Sequence, residues 1–408
     1  MGKLLQSISL LVITLLVSST VLALPFSAFD PRSYAMGGTG VASGTSANAV
    51  FYNPALLAAA RDGEDFSLEL PIVAVQATDP DNFVDAVDEF DSNDYMATLD
   101  AALGAYVPGN SATEAAVIAA AAQVRDGLIS ISGKAVQLEG DVAFVVGIPG
   151  KKFGLSVYGN AWAVGGAVGD TSTDVAVLNG VISDASASNV LSLASTSSLG
   201  STIAARFAVI TEAGIAIARD FNGLAVGITP KYVEVHTSDY LITADNFDSA
   251  SIDTDVNEVT DTDVNFDVGL ARDFGNGNKV GLVVKNVIPQ EYTTYMGNKL
   301  KIDPMARVGV MHQNSWSTIA LDVDLTENDP GGFDSKTQFA SLGMELDIFD
   351  TAQLRVGVRH NMSDNPYGHE VDTLSAGLGF SPFGIHLDLS VAGNSDQIGA
   401  AAQFGFRF

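Results

Sequence analysis

The chain has 408 residues, a formal net charge of −28 and no cysteine. That excludes a disulfide framework, thiol chemistry and a lipoprotein anchor, and it argues against nucleic acid or anionic lipid as a partner. Hydrophobic residues make up 47% and charged residues only 17%, against about 25% charged in a soluble domain, so much apolar surface must be hidden from water in some way.

The first element is an export signal. Lys3 supplies a short positive region, Leu4 to Val17 an apolar run, and Val21-Leu22-Ala23 a cleavage pattern. Residues 1–23 are therefore predicted to be a signal peptide cut after Ala23. The rival is an uncleaved membrane anchor. The polar Ser18-Ser19-Thr20 and the residues before the cut favour cleavage. Past Ala23 no apolar run is long enough for a membrane-spanning helix; Ser111–Ala122 is short and carries Glu114. A closed β-barrel is the other structure a bilayer allows, because closure satisfies every backbone N–H and C=O.

Residues 24–64 have no strand pattern. Gly37, Gly38, Gly40 and Gly44 permit tight turns, and Phe26, Phe29, Phe51, Tyr52, Leu56 and Leu57 offer apolar contacts. Pro54 fixes the chain direction, and Asn53 can bond neighbouring backbone groups. A flexible tail would be poor in aromatics, so the segment is predicted to fold back into the barrel lumen as a plug.

From residue 65 to 408 the pattern is alternation. Fourteen strands are predicted at 66–76, 135–148, 152–166, 201–221, 224–241, 260–274, 279–288, 301–312, 316–325, 337–348, 352–361, 372–380, 385–392 and 397–408. Long and short connections alternate, as in outer-membrane barrels, with Gly393–Asp396 as the exception. The fold class is thus all-β, an antiparallel transmembrane barrel of about 14 strands. Short helices are expected in the external insertions at about 78–130 and 170–198. The segments Asp79–Asp100 and Asp239–Asp267 are acidic with no basic residue, and both are expected in loops.

One face of the strands is apolar and lipid-directed. The other carries Arg307, Asp322, Asp324, Glu345, Arg355, Arg359, Asp388 and Arg407, with Asp267, Asp347 and His386 beside them. In a narrow lumen a ladder of mixed sign is expected to be a salt-bridge network joining barrel and plug. The final strand places Phe404, Phe406 and Phe408 on one face, an ending that resembles the C-terminal signal read by the barrel assembly machinery.

The stretch YAMGGTGVASGTSANAVFYNPALLA, with Gly37-Gly38 upstream of Phe51-Tyr52-Asn53-Pro54-Ala55, resembles the N-terminal hatch of the FadL/TodX-type outer-membrane transport superfamily. Within it, Pro31 to Gly38 is most similar to the conjugal-transfer TraF-like branch, to which PorV-like proteins are related. The resemblance implies a 14-stranded barrel with a hatch. It implies binding of hydrophobic small molecules from outside and their lateral release through a kinked third strand. Gly159-Asn160 is the candidate kink in this chain, with ordinary barrel glycine as its rival. The charged lumen departs from that picture, because no clear apolar lining for a fatty acid is visible.

No cofactor is implied. Asp253-x-Asp255 and Asp261-x-Asp263 lack the spacing of a calcium loop, and neither a zinc motif nor Gly-x-Ser-x-Gly occurs, so no enzyme is predicted. The expected function is passive uptake of small hydrophobic compounds across the outer membrane. The alternative is a non-transporting scaffold whose external loops bind a secretion or conjugation partner. Expected contacts are outer-membrane lipid, the assembly machinery and one of these ligands.

Overall fold

The computed structural model describes residues 30–58, 65–150, 152–193, 199–243, 257–329, 336–349, 351–363 and 372–407. The signal peptide, Phe26, Phe29, Asp253, Asp255 and Phe408 lie outside them. No helix among the described residues is long and apolar enough to cross a membrane.

The strands are β1 (Ser67–Thr78), β2 (Ala135–Ile148), β3 (Phe153–Asp170), β4 (Thr202–Asp220), β5 (Leu224–Thr243), β6 (Val259–Gly275), β7 (Asn278–Lys285), β8 (Gln290–Thr293), β9 (Lys299–Ile302), β10 (Met305–Gln313), β11 (Ser317–Asp324), β12 (Phe339–Ile348), β13 (Ala352–Asn361), β14 (Thr373–Phe380), β15 (Ile385–Gly393) and β16 (Gln397–Arg407). Fourteen of them form one closed ring, in which β1 pairs antiparallel with both β2 and β16. β8 and β9 pair only with each other, as a separate hairpin. This hairpin was not expected, and it corrects the start of the eighth ring strand from 301 to Met305. Lys299–Ile302 alternates like a strand, but it turns back on Gln290–Thr293, and Pro304 then interrupts the run.

Burial is inverted relative to a water-soluble sheet. On β15, Ile385, Leu387, Leu389 and Val391 face outward and exposed, whereas His386, Asp388 and Ser390 are buried inward. The same exposed apolar face recurs at Leu354 and Val356 of β13 and at Ile319 and Leu321 of β11. Such an exterior suits hydrocarbon, and such an interior must find internal partners. One end of the barrel carries tight turns; Asn222–Gly223 and Asn276–Gly277 all have positive φ, the backbone a two-strand reversal asks for.

The other end carries the long connections and, among the described residues, five helices: α3 (Phe83–Ser92), α4 (Tyr95–Gly104), α5 (Ser111–Ile131), α6 (Ser172–Ser183) and α7 (Ala187–Ser192). (Two shorter ones, α1 and α2, precede β1 and are described below.) Val117, Ala121, Val124, Leu128 and Ile131 form the buried stripe of α5, at helical spacing. They pack with Phe83, Phe90, Leu99 and Leu178, and with Ile203 and Ala205 of β4. β3, β4, β5 and β6 run to 18, 19, 20 and 17 residues, longer than the roughly 9–11 that cross a bilayer, and the surplus of β3 to β5 is the surface on which the helices rest. Asp79 fastens α3, its carboxylate accepting from the Phe83 and Val84 amides at 2.6 and 3.2 Å. Thr171 Oγ1 donates to the Leu128 carbonyl at 2.8 Å and ties the two insertions together.

This division into ring and cap gives a local test. Leu128→Ala removes a buried anchor and should loosen the cap by about 2–5 kcal/mol. Protease cleavage within residues 79–134 should then accelerate while the heat-modifiable electrophoretic mobility of the folded barrel is unchanged.

Candidate functional site: the filled lumen

Residues 30–58 lie within the ring of strands, almost all of them buried. The segment contains α1 (Pro31–Ala35), α2 (Ala49–Tyr52) and a 3-10 turn at Pro54–Ala58. Asp30 caps α1, accepting from the Ser33 amide at 3.2 Å and from Asn48 Nδ2 at 2.9 Å. Gly37 and Gly38 then reverse the chain with φ of 70° and 92°. The wall is moulded to this path by its own glycines. A Cβ on Gly343 or Gly357 would strike Met36, one on Gly281 would strike the Val41 backbone, and one on Gly269 would strike Asn53.

Asn53 uses its whole amide. Its Nδ2 donates to the carbonyls of Val41 and Leu270, both at 2.9 Å, and its Oδ1 accepts from the Ala55 amide at 3.1 Å. It thus pins the segment to itself and to β6, with Pro54 and Ala55 packed over Gly227 of β5. The buried Tyr52 ring lies over Gly40. Phe51 meets Tyr158 of β3 edge to face at 5.6 Å, and its carbonyl accepts from Lys285 Nζ at 3.1 Å. Burial pushes the Tyr34 phenol up to about 12, so it stays protonated and donates to Gln76 at 3.1 Å.

The buried charges include three groups and, described after them, Lys231 with Glu212 and Asp267. In the first, Arg32 of α1 makes a bidentate pair with Glu345 of β12 at 2.9 and 2.8 Å and donates to the Ser43 carbonyl at 2.7 Å. Glu345 also accepts from Arg355 at 2.7 Å, and Arg355 reaches Asp388 at 2.5 Å. That last contact spans β14, and it is open because Gly379 has no Cβ to overlap Arg355 and Asp388. In the second, Arg307 clamps Asp324, while Asp322 accepts from the Gly40 and Val41 amides at 2.8 and 2.9 Å. In the third, Glu69 of β1 meets His386 across β16 at 2.5 Å, with Gln403 at 2.6 Å and Arg407 at 3.5 Å. Gly405 sits between them, and a Cβ there would overlap Glu69.

Seven of the eight charged residues singled out from the sequence thus join these groups. Arg359 does not: its guanidinium lies over the Phe339 ring at 4.4 Å. Sequence reasoning missed Arg32, Glu69, Lys231 and Glu212. Lys231, fully buried, pairs with Glu212 at 2.9 Å and Asp267 at 3.1 Å. Alternation places the last three inward and would have found them; Arg32 lies in a stretch with no period. Phe404 and Phe406 touch edge to face at 5.2 Å.

The bend expected at Gly159-Asn160 is not a break in pairing. Gly159 pairs with Phe144 and Ala213, Asn160 with Ala143 and Glu212, and neither ladder shifts register there. Gly159 instead lies under the Phe144 ring, which its missing side chain admits. The register shifts in β1 between Glu69 and Ile72, against both neighbours.

A cavity of about 50 Å³ remains between the segment and the wall, bordered by Val50, Phe51, Tyr158, Asp141, Glu212 and Ile302 among others. The β8–β9 hairpin covers that side of the lumen, with Tyr292, Leu300 and Ile302 buried against Trp162, Ile210 and Val233. Asp239 of β5 holds its tip, accepting from Thr294, Asn298 and the Met296 amide. Among the described residues no cluster of three or more His, Asp or Glu is arranged to hold a metal ion.

The first charge group separates members from neighbours. Glu345→Gln leaves Arg32 and Arg355 facing each other in a buried site and should cost about 3–5 kcal/mol, read as a lowered urea midpoint in detergent micelles. Arg359→Ala breaks none of these ion pairs and should cost less, with about 0.5–1 kcal/mol from the lost contact with the Phe339 ring.

Comparison with known proteins follows this geometry. The Pseudomonas putida toluene transporter TodX matches at 14% identity and a TM-score of 0.53, covering 94% of this chain and 99% of that one. The CymD monoaromatic hydrocarbon channel matches at 14% identity and a TM-score of 0.55, covering 95% and 99%. The Ralstonia pickettii toluene transporter TbuX matches at 14% and 0.51, covering 94% and 99%. At these identities the likeness is one of fold. No curated protein matches the chain. The model of one sequence family matches residues 50–324, from the end of the lumenal segment through β11. With more than half its length so matched, the chain belongs to the family described as F plasmid transfer operon, TraF, protein.

Proposed function

We propose that the chain is an outer-membrane barrel for passive uptake of small hydrophobic compounds, with residues 24–64 as the plug of its lumen and Phe404 and Phe406 as part of its assembly signal. The observation that carries this reading is the unequal way the segment is held. Towards β10–β16 it is bound by ion pairs and charge-assisted hydrogen bonds. Towards β2–β6, apart from the Asn53 bond to the Leu270 carbonyl, it rests on small apolar side chains, with Leu56 and Leu57 among Ala143, Ala216, Ala218 and Ala225, beside the cavity. Parting the apolar side to admit an apolar solute costs little, whereas parting Arg32 from Glu345 strands buried charge. The fold shared with monoaromatic hydrocarbon channels supports the same reading. At about 50 Å³ the cavity is smaller than the roughly 150 Å³ that takes benzene, so passage requires the segment or the β8–β9 hairpin to move.

A second reading is favoured by a separate surface. Asp81, Asp85, Asp88, Glu89, Asp91 and Asp94 lie exposed on and beside α3 with no basic residue between Asp79 and Asp100. A non-transporting scaffold would present this acidic cap to a partner in conjugation or secretion, a role that the family description supports.

Two measurements divide the readings. Asn53→Ala severs the bonds to Val41 and Leu270 and should raise conductance in planar bilayers and uptake of a monoaromatic probe into cells; unchanged values in this variant and in a deletion of residues 30–58 would overturn the plug. For the scaffold, a co-purifying protein should disappear when residues 78–130 are removed, and its persistence would sink that role.

A further inference from the structure

The lumenal cavity has a polar side that the uptake of apolar compounds does not use. Asp30, Asp141 and Glu212 line it, and among the described residues the only basic side chain in the lining is Lys285. Lys231 pairs with both Glu212 and the adjoining Asp267, so the group counts four carboxylates against two ammoniums, a formal net charge of −2. Asp30, Asp141 and Asn286 are each more than nine-tenths buried. Asn160 Oδ1 and Asn286 Oδ1 accept no hydrogen bond from any described residue. A buried acceptor left without a donor costs about 1–3 kcal/mol, and here two of them border one space that carries excess negative charge.

From this we infer that the cavity is a binding site for a small primary alkylammonium ion. The charge calls for a cation, and the unfilled acceptors call for one that carries N–H donors. The remaining wall, Phe51, Tyr158, Trp162 and Val50, offers ring faces and an aliphatic surface to an alkyl stub, which a bare metal cation would leave unused. The volume of about 50 Å³ limits the guest to a few heavy atoms. The site does not depend on the barrel conducting anything. Equilibrium binding reads it, whereas flux reads transport, so either idea can fail while the other stands.

The test is calorimetric titration of the full-length purified barrel in detergent with methylammonium chloride at constant ionic strength, with potassium chloride and methanol as comparison ligands. Saturable methylammonium binding is expected, at least tenfold tighter than either comparison. Asp141→Asn and Asp30→Asn should each weaken it tenfold or more, and Asp88→Asn on the cap should leave it unchanged. Heat-modifiable mobility identifies which variants are folded, and either lumenal variant alone suffices. Absence of saturable binding by the unaltered protein, equal binding of potassium or methanol, or full binding by a folded lumenal variant would overturn the site.

Discussion

The bidentate pair between Arg32 and Glu345 closes a charge ladder that the strands alone leave open. Glu345, Arg355 and Asp388 carry two negative charges and one positive, all buried. Arg32 restores neutrality, and it comes from the lumenal segment. Asp322 repeats the arrangement with backbone: its carboxylate is answered by the Gly40 and Val41 amides. A bare ring would leave one of these buried negative charges unbalanced and Asp322 without its amide donors, a heavy cost in a medium of low dielectric. Wall and filling are therefore one electrostatic unit, and the barrel interior specifies the path of residues 30–58 as firmly as any hydrophobic core would.

The ladder also depends on what is missing. Arg355 reaches Asp388 over β14, and Glu69 reaches His386 over β16, each at a glycine on the intervening strand. Cross-strand neighbours in a sheet sit about 5 Å apart, so a pair two strands away needs the middle position cleared. Other inward glycines serve the segment itself, Gly343 and Gly357 beneath Met36 and Gly281 beneath Val41. The glycine content of this barrel thus records close approach more than bending, and Gly159, under Phe144 on the outer face, is of the same kind.

These facts explain what was legible in the sequence. Alternation depends only on which side of the pleat faces lipid, so it placed all fourteen ring strands and sent Arg307, Glu345, Arg355 and Asp388 inward without knowledge of any partner. Partners were not legible, because they are set by register across strands far apart in the chain and by the glycines between them. Arg32 was invisible for a related reason: α1 is five residues long and shows no period. The β8–β9 hairpin was lost because two four-residue strands give too few alternations, and the second merges with β10 when read along the chain. Asn53-Pro54-Ala55 was legible as a motif, but its bond to the Leu270 carbonyl belongs to the fold.

The lumen is divided by kind of force. On the β10–β16 side the filling is held by charges whose separation is costly at any small displacement. On the β2–β6 side, apart from the Asn53 bond to the Leu270 carbonyl, it is held by alanine-rich contacts, whose energy scales with the apolar area they bury. The β8–β9 hairpin and the helical cap stand over this second side, through Trp162 and Ile210 below the hairpin and Ile203 and Ala205 below the helices. The cavity borders this second side, through Ala143, Tyr158 and Ile210.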